Sequence, residues 1–179
     1  MPIQVVMVGA TGRHARWVLA ELVQRGVFAR ALVRTEQSAE LARRNGASDA
    51  VTGDLNEPES LAAAVAGMEG VFHIDPAFAP GEAAMGVAMV DAARRAGVRK
   101  FVFSGVIHPA ITAMVNHAAK LPVEEALYTS GMDFTVLQPA VFMQGIADRN
   151  WDEMVNDGRL SLPYSVSSKL LGRLSRSRR

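Results

Sequence analysis

The chain of 179 residues contains no cysteine and no long uninterrupted apolar segment. Without cysteine the protein forms no disulfide and uses no thiol chemistry. A membrane-spanning helix needs about 18 successive apolar residues, and the N-terminus also lacks the basic and apolar segments of a secretory signal. The four histidines stand too far apart for a recognisable metal site. We therefore expect a soluble cytoplasmic protein that neither binds a metal nor enters a membrane.

Acidic residues are absent after Asp157, whereas five basic residues lie in the last eleven positions. Without those five, the formal net charge of +1 would be −4, so the body of the chain is mildly acidic. A basic tail binds nucleic acid in some proteins, but a solvated, disordered end is the favoured interpretation here. We predict one domain over residues 1–165, a basic, disordered tail over residues 166–179, and no nucleic-acid binding.

The rest of the composition is that of a globular protein, with 49% hydrophobic and 21% charged residues. Continuous apolar strands separated by helices are typical of a parallel sheet that is covered on both faces. The predicted strands are residues 3–8, 28–33, 49–52, 70–74, 100–103 and 134–137. Right-handed crossovers then predict a doubly wound α/β fold, the Rossmann fold, with strand order 3-2-1-4-5-6. The helix predicted over residues 112–130 is expected to kink or restart near Pro122.

The first predicted strand leads into a glycine turn that is typical of dinucleotide-binding folds. The turn consists of Gly9, Ala10, Thr11, Gly12, Arg13 and His14. Gly9 permits a tight turn, Gly12 lets the backbone approach a pyrophosphate, and Ala15 replaces a third glycine, which this fingerprint tolerates. The N–H groups and the positive dipole end of the following helix then face the anion. The alternative is a glycine turn that binds nothing.

Arg34 stands at the end of the second predicted strand, where an NAD-binding protein carries an acid for the ribose 2′-hydroxyl. A guanidinium cannot accept that hydrogen bond, but its planar fork suits a 2′-phosphate, which Arg13 can reach from the other side. Glu36 is close enough to argue slightly against this. We predict that NADP(H) binds in preference to NAD(H). The alternative is that both arginines are merely solvated.

Eight segments, in one consistent order, resemble the NmrA-like branch of the atypical short-chain dehydrogenase/reductases. They are residues 9–12, 31–34, 53–55, 97–104, 117–120, 123–124, 130–131 and 137–143. The resemblance spans residues 3–165 and implies a nicotinamide-dinucleotide fold followed by a smaller C-terminal substrate part. This chain ends about where that part should gain most of its residues. We therefore expect a C-terminally shortened chain from which the substrate part is largely missing.

The resemblance also assigns residues to the cofactor site. It places Asp54 and Leu55 beside the adenine, although Asp54 is equally suited to cap the helix that follows. Residues after the fourth and fifth strands are placed near the nicotinamide and its ribose: Ile74, Asp75, Pro76 and Ser104. A further segment is placed at the same cleft: Pro139, Ala140 and Phe142.

Lys120 is the residue that the resemblance makes most important for catalysis. In short-chain dehydrogenases a tyrosine and a lysine four residues later share one helix face. The lysine there holds the nicotinamide ribose and lowers the pKa of the tyrosine. Here Asn116 occupies the tyrosine position, and an amide cannot donate a proton in that way. Proton transfer is then left to Lys120, His117 or water, and the alternative is that Lys120 is a surface lysine.

Two functions of different kinds follow from the resemblance. One is an NADPH-dependent reductase of small carbonyl or quinone acceptors, in which Arg13 and Arg34 select the cofactor and Lys120 orients its ribose. The other is a non-catalytic redox sensor or regulator, or a shortened inactive form, which Asn116 and the missing C-terminal part favour. An incomplete C-terminal cover is also expected to leave an apolar patch that recruits a protein partner or a second copy of the chain. The patch would consist of Phe142, Met143, Ile146 and Trp151.

Overall fold

The computed structural model describes residues 2–159, of which residues 143–149 are described by their backbone alone. The chain divides into two compact units, residues 1–138 and residues 139–179. The described part of the second unit contains the helix α7 (Met143–Asn156). The elements of the first unit are, in order, β1 (Gln4–Val8), α1 (Ala15–Gln24), β2 (Phe28–Val33), α2 (Glu36–Arg44), β3 (Asp49–Thr52), α3 (Pro58–Val65), β4 (Gly70–His73), α4 (Glu82–Arg95), β5 (Lys100–Ser104), α5 (Val115–Ala118), α6 (Leu121–Thr129) and β6 (Asp133–Leu137). The predicted tail over residues 166–179 lies outside the described residues.

All six strands are parallel and form one sheet of order β3-β2-β1-β4-β5-β6, which confirms the predicted topology. The order reverses at β1, where Met7 lies opposite Ala31 of β2 on one side and Phe72 of β4 on the other. Ligands of doubly wound sheets bind at the carboxyl ends of the strands beside this reversal. The fold therefore brings the segments that follow β1, β4 and β5 to one candidate site.

Helices cover both faces of the sheet, because its strands carry apolar side chains on both sides. One face packs against α3, α4 and α6 through large side chains, among which Phe101 and Phe103 are fully buried. The other face packs against α1 and α2 mainly through alanines. Small side chains at the start of a first helix allow it to pack closely on its strand. Among residues 2–159 no helix is long and apolar enough to cross a membrane.

The helix predicted over residues 112–130 is in fact two helices, α5 and α6, with Ala119 and Lys120 between them. The single helix is therefore wrong, whereas the restart near Pro122 is confirmed. Proline has no N–H to donate to the carbonyl of Ala118 and is tolerated in the first turn of a helix, where Pro122 stands in α6. The break leaves Lys120 as the residue before α6, with its side chain buried.

Candidate functional site

The turn between β1 and α1 brings backbone to the carboxyl edge of the sheet. Gly9 has a φ of +79°, and a Cβ on it would lie 3.2 Å from the carbonyl oxygen of Ile74, the residue after β4. Gly12 donates its N–H to the carbonyl oxygen of Gly9 at 2.7 Å, and a Cβ on Gly12 would lie 2.9 Å from that oxygen. Both positions therefore require glycine. The first N–H groups of a helix lack partners within it, so this narrow turn before α1 fits a pyrophosphate.

Four other predicted site residues lie on the loops that follow β1 and β3. Ala10 is buried in the core under α1 and α2. Leu55, after β3, packs half-buried against the core on the opposite face. Thr11 and His14 are half-buried, and His14 directly precedes the first residue of α1. Their contacts with a cofactor remain predictions.

Two predicted phosphate ligands, Arg13 and Arg34, have exposed side chains. Arg13 belongs to the glycine turn, and Arg34 follows β2, the strand beside β1. Glu36, the acid that argued against a phosphate site, pairs with Arg43 instead, with 3.0 Å between Oε1 and Nη1. Glu36 is therefore engaged elsewhere, and both guanidinium groups are accessible to a phosphate group.

Asp54 follows β3 and interacts with the positive charge of Arg34. Its Oδ1 accepts hydrogen bonds from the backbone N–H of Asn56 at 2.8 Å and from the side-chain amide of Asn56 at 2.9 Å. These two bonds, followed by the charge of Arg34, lower the pKa of the Asp54 carboxyl. The alternative that Asp54 caps α3 is wrong, because Glu57 occupies the cap position. Asp54 instead closes a small turn with its carboxylate ionised.

Four buried titratable side chains from different elements meet beyond the carboxyl end of β4. They are here termed the buried quartet: His73, Asp75, Glu82 and Lys120. His73 Nε2 lies 2.5 Å from Asp75 Oδ1, and Lys120 Nζ lies 3.4 Å from Asp75 Oδ2. Lys120 Nζ also forms an ion pair with Glu82 Oε1. Lys120 is thus not a surface lysine, since its side chain is 7% exposed and bridges two carboxylates.

The imidazole of His73 has Phe101 and Phe103 beside it, with ring centroids 6.0 and 5.9 Å away. Its Nε2 meets Asp75, whereas its buried Nδ1 makes no hydrogen bond within the described structure. The ring therefore lies between the Asp75 carboxylate and two buried aromatic side chains.

Asp75 holds Lys120 from within the protein. Burial raises the pKa of its carboxyl, but the hydrogen bond and the charge of His73, followed by the charge and hydrogen bond of Lys120, outweigh burial, so the pKa lies below its usual value. Both carboxylate oxygens are occupied by protein groups. The Asp75 side chain therefore contacts protein groups through both oxygens, while its neighbour Ile74 is half-buried and Pro76 is exposed.

Glu82 belongs to the site although the sequence did not indicate it. It is the first residue of α4 and follows Gly81, so an acid at this position predicts only the start of a helix. One carboxylate oxygen pairs with Lys120, and the other accepts the backbone N–H of Phe78 at 2.8 Å. Lys120 lies 38 residues further along the chain. Only the fold brings the two together.

A second buried acid, Glu124 of α6, lies beside the end of β5, and no role in the site was predicted for it from the sequence. Both of its oxygens accept from Gln138 Nε2, each at 3.2 Å. A Cβ on Gly105 would lie 3.1 Å from Glu124 Oε1. Ser104, the predicted site residue before Gly105, is buried at the last position of β5. Glycine at position 105 therefore leaves room for the Glu124 carboxylate.

The residues at the tyrosine position and among the predicted proton donors differ in burial and in their hydrogen-bond partners. Asn116, at the tyrosine position, lies in α5 and is half-buried. His117 is buried, with 3.4 Å between its Nδ1 and the carbonyl oxygen of His108. Lys120 already directs donors at two carboxylates, out of the three that an ammonium has.

Pro139, Ala140 and Phe142 belong to the second unit, so their contacts with a cofactor remain predictions. Phe142 directly precedes α7 and is exposed, and Trp151 within α7 is 61% exposed. The side chains of Met143 and Ile146 lie outside the described residues. The apolar patch that was predicted from these four residues also remains a prediction.

Comparison with known proteins identifies relatives of similar sequence. The model of the NmrA-like family matches residues 2–169. NAD(P)H azoreductase from Xenophilus azovorans is 34% identical over 143 residues, which make up 79% of this chain and 49% of that protein. Photosystem II assembly factor Ycf39 from Cyanophora paradoxa is 29% identical over 152 residues, or 80% of this chain and 47% of that protein. The chain thus spans about half the length of these curated relatives.

Solved structures show the same fold. Triphenylmethane reductase from Citrobacter sp. is 26% identical with a TM-score of 0.71, over 87% of this chain and 53% of that chain. The same reductase complexed with NADP(H) gives a TM-score of 0.72 at 22% identity, over 87% and 55% of the two chains. The family match covers most of the residues and agrees with the eight sequence segments and with the strand order. The chain therefore belongs to the NmrA-like family, and its first unit has the Rossmann fold.

Proposed function

We propose that the chain binds NADP(H) at the carboxyl edge of its sheet and uses it to reduce a small acceptor. The observation that carries this proposal is the buried ammonium of Lys120, which Asp75 and Glu82 hold beside the reversal of strand order. Burying three charged groups costs desolvation free energy. This desolvation cost is explained if the protein must hold the Lys120 ammonium in a fixed position to bind a polar ligand.

Groups of the first unit match the parts of the dinucleotide. The glycine turn offers backbone N–H groups to the pyrophosphate. Arg13 and Arg34 offer charge-assisted hydrogen bonds to a 2′-phosphate. Asp54 lies near Arg34, on the side that the family resemblance gives to the adenine. Lys120 has a third N–H donor for a ribose hydroxyl. The name of the NAD(P)H azoreductase supports a nicotinamide dinucleotide as the cofactor, and the preference for NADP(H) rests on the two arginines.

The residue at the tyrosine position decides which acceptors suit this site. When bound, the reduced nicotinamide supplies a hydride. Asn116 donates no proton, so the site suits an acceptor that takes a hydride without an acid beside it. In a quinone the resulting negative charge is spread over the ring and is then neutralised by water, whereas an aliphatic ketone needs a proton as its alkoxide forms. We therefore favour quinones and similar conjugated rings over simple carbonyl compounds.

Exposed apolar side chains on neighbouring loops support a flat, conjugated acceptor. Phe78 lies on the loop after β4, and Ile111, Met114 and Val115 lie on the segment after β5. β4 and β5 are paired strands, so both segments leave the same part of the sheet. Binding sites for small organic molecules are lined mainly by apolar and aromatic side chains. These residues suit a ring better than a sugar or an acid.

A second candidate function is that of a redox sensor, in which bound NADP(H) changes association with a partner and no acceptor is reduced. Asn116 favours this alternative, because the proton donor of the related dehydrogenases is missing. The relative Ycf39 is named as an assembly factor. Both candidates require NADP(H) binding, so they differ only in turnover.

The rate of NADPH consumption, measured as the loss of NADPH absorbance, separates the two candidates. We expect turnover with benzoquinone and naphthoquinone, little with benzaldehyde and none with an aliphatic ketone. Lys120→Met should abolish turnover, whereas Lys100→Met, which removes an exposed lysine paired with Asp133, should leave it unchanged. NADPH binding without consumption of any acceptor would support the sensor. Absence of NADPH binding would contradict both candidates.

A further inference from the structure

Glu82 connects the buried quartet to a strained loop. The loop between β4 and α4 contains Phe78, whose φ of +65° lies in the left-handed region that residues other than glycine seldom adopt. The N–H of Phe78 donates to Glu82 Oε2 at 2.8 Å. The other oxygen of the same carboxylate pairs with Lys120. The conformation of the loop therefore depends on a carboxylate that is shared with Lys120.

The two ends of this connection lie in different surroundings. Glu82 and Lys120 are buried, and Lys120 is held a second time by Asp75. The side chain of Phe78, in contrast, is 75% exposed. Backbone strain persists only where the surrounding structure enforces it, and it is concentrated at active sites and ligand clamps. Here a carboxylate of a buried ion pair accepts the backbone N–H of an exposed aromatic residue with a positive φ.

We propose that Glu82 is a positioning residue that couples the loop of residues 76–81 to Lys120. Occupation of Lys120 by the cofactor ribose and placement of the Phe78 ring for the acceptor then depend on one another. The assignment of ribose and acceptor rests on the proposed function, whereas the coupling is a property of the protein alone. Because coupling between two sites is reciprocal, a change that loosens one end must loosen the other.

Amide hydrogen exchange of the protein without cofactor tests the coupling, with the Phe78 N–H as the reporter. Lys120→Met leaves Glu82 in place but removes its cation, so we expect exchange at Phe78 to become about tenfold faster while amides of β2 keep their rates. Lys120→Arg keeps the positive charge and is the matched control, with exchange expected within about twofold of the unsubstituted protein. Unchanged exchange at Phe78 in Lys120→Met overturns the proposal, since a carboxylate that only supports the loop would not respond to Lys120.

Substitution of Glu82, which contacts both Phe78 and Lys120, tests the same coupling and remains informative if Lys120→Met fails to fold. Glutamine can accept with one atom where glutamate accepts with two, so Glu82→Gln cannot serve both Phe78 and Lys120. We expect faster exchange at Phe78 together with about tenfold weaker NADPH binding by titration calorimetry. Glu59→Gln, which removes an exposed acid of α3, should change neither. Faster exchange with unchanged NADPH affinity overturns the coupling, whereas failure of the unsubstituted protein to bind NADPH contradicts the proposed function alone.

Discussion

Asp75 is a buried carboxylate whose two oxygens both contact protein groups. Asp75→Asn leaves the ammonium of Lys120 with Glu82 as its remaining carboxylate. Removing one partner of a buried ion pair typically lowers the free energy of unfolding by about 3 kcal/mol. For a chain of this size, that loss lowers the Tm by about 6 to 12 °C. Asp91→Asn, which breaks exposed pairs with Arg94 and Arg95, should lower the Tm by only about 1 to 3 °C. Calorimetric melting at neutral pH measures both. Equal effects of the two substitutions would contradict the role given to Asp75.

The same carboxyl gives the stability a defined dependence on pH. The pKa of Asp75 is lower in the folded protein than in the unfolded chain, so its ionised form stabilises the fold. That contribution is complete above the unfolded pKa, about 3.9, and is lost as the pH falls through the lower folded value. Urea unfolding between pH 7 and pH 3 should therefore show a constant difference between the unsubstituted protein and Asp75→Asn down to about pH 5, and a shrinking one below about pH 4. A difference that grows on acidification would contradict the depressed pKa.

Phe78 permits a test that separates its ring from its backbone. Phe78→Gly and Phe78→Ala both remove the ring, but glycine adopts the φ of +65° without strain and alanine does not. If the ring contacts the acceptor, both substitutions should raise the KM for naphthoquinone about fivefold, the effect of losing about 1 kcal/mol of ring stacking. NADPH affinity should change less than about twofold in Phe78→Gly, since the N–H that meets Glu82 remains. An unchanged KM in both variants would remove Phe78 from the acceptor site.

The glycines of the tight turn could be predicted from the sequence, whereas the acids that pair with other side chains in the interior could not. Gly9 and Gly12 were predicted because a narrow turn at a phosphate has few other solutions. Lys120 was singled out only through the family resemblance, and its burial shows that the alternative of a surface lysine is wrong. Glu82 and Glu124 were missed because each meets its partner through packing of helices on the sheet, which leaves no local pattern.

Between elements, Gly86 sets how closely α4 approaches α6 and the buried quartet. A Cβ on Gly86 would lie 2.4 Å from Val123 Cγ2 and 2.9 Å from Asp75 Oδ1. Alanine normally stabilises a helix by about 1 kcal/mol relative to glycine. Gly86→Ala should instead destabilise the protein by about 1 to 3 kcal/mol, because α4 must move away from its neighbours.

Urea unfolding measures this effect, and the exposed helix position Ala84 supplies the control. Ala84→Gly should cost about 1 kcal/mol through helix propensity alone. A Gly86→Ala protein that is more stable than the unsubstituted one would show that α4 and α6 are not held at this spacing.

At the scale of elements, the alternation of apolar strands and helices was enough to predict the sheet and its order. The same pattern failed at α5 and α6, because residues on both sides of the break suit a helix and only Pro122 signals it. At that break Lys120 directly precedes α6, and its backbone N–H donates to the carbonyl oxygen of His117 at 3.0 Å.

For the whole molecule, the family match and the strand order fix the fold of the first unit, while the second unit is described only in part. We propose that copies of the chain associate through the predicted apolar patch of the second unit, in which Phe142 and Trp151 are exposed. Sedimentation velocity should show association at micromolar concentration that Trp151→Gln weakens. Trp17→Gln, which removes a comparably exposed tryptophan of α1, should leave association unchanged. A monomer at all concentrations would exclude the proposed association.

Titration calorimetry of the full chain with NADPH and with NADH tests the proposed cofactor site most directly. Two charge-assisted hydrogen bonds from Arg13 and Arg34, each contributing about 1.5 to 3 kcal/mol, predict at least about tenfold tighter binding of NADPH. Arg34→Ala should remove most of this preference and leave NADH binding nearly unchanged, whereas Arg25→Ala, at the opposite end of α1, should affect neither. Equal affinities for NADPH and NADH, or no binding of either, would contradict an NADP(H) site at this edge of the sheet.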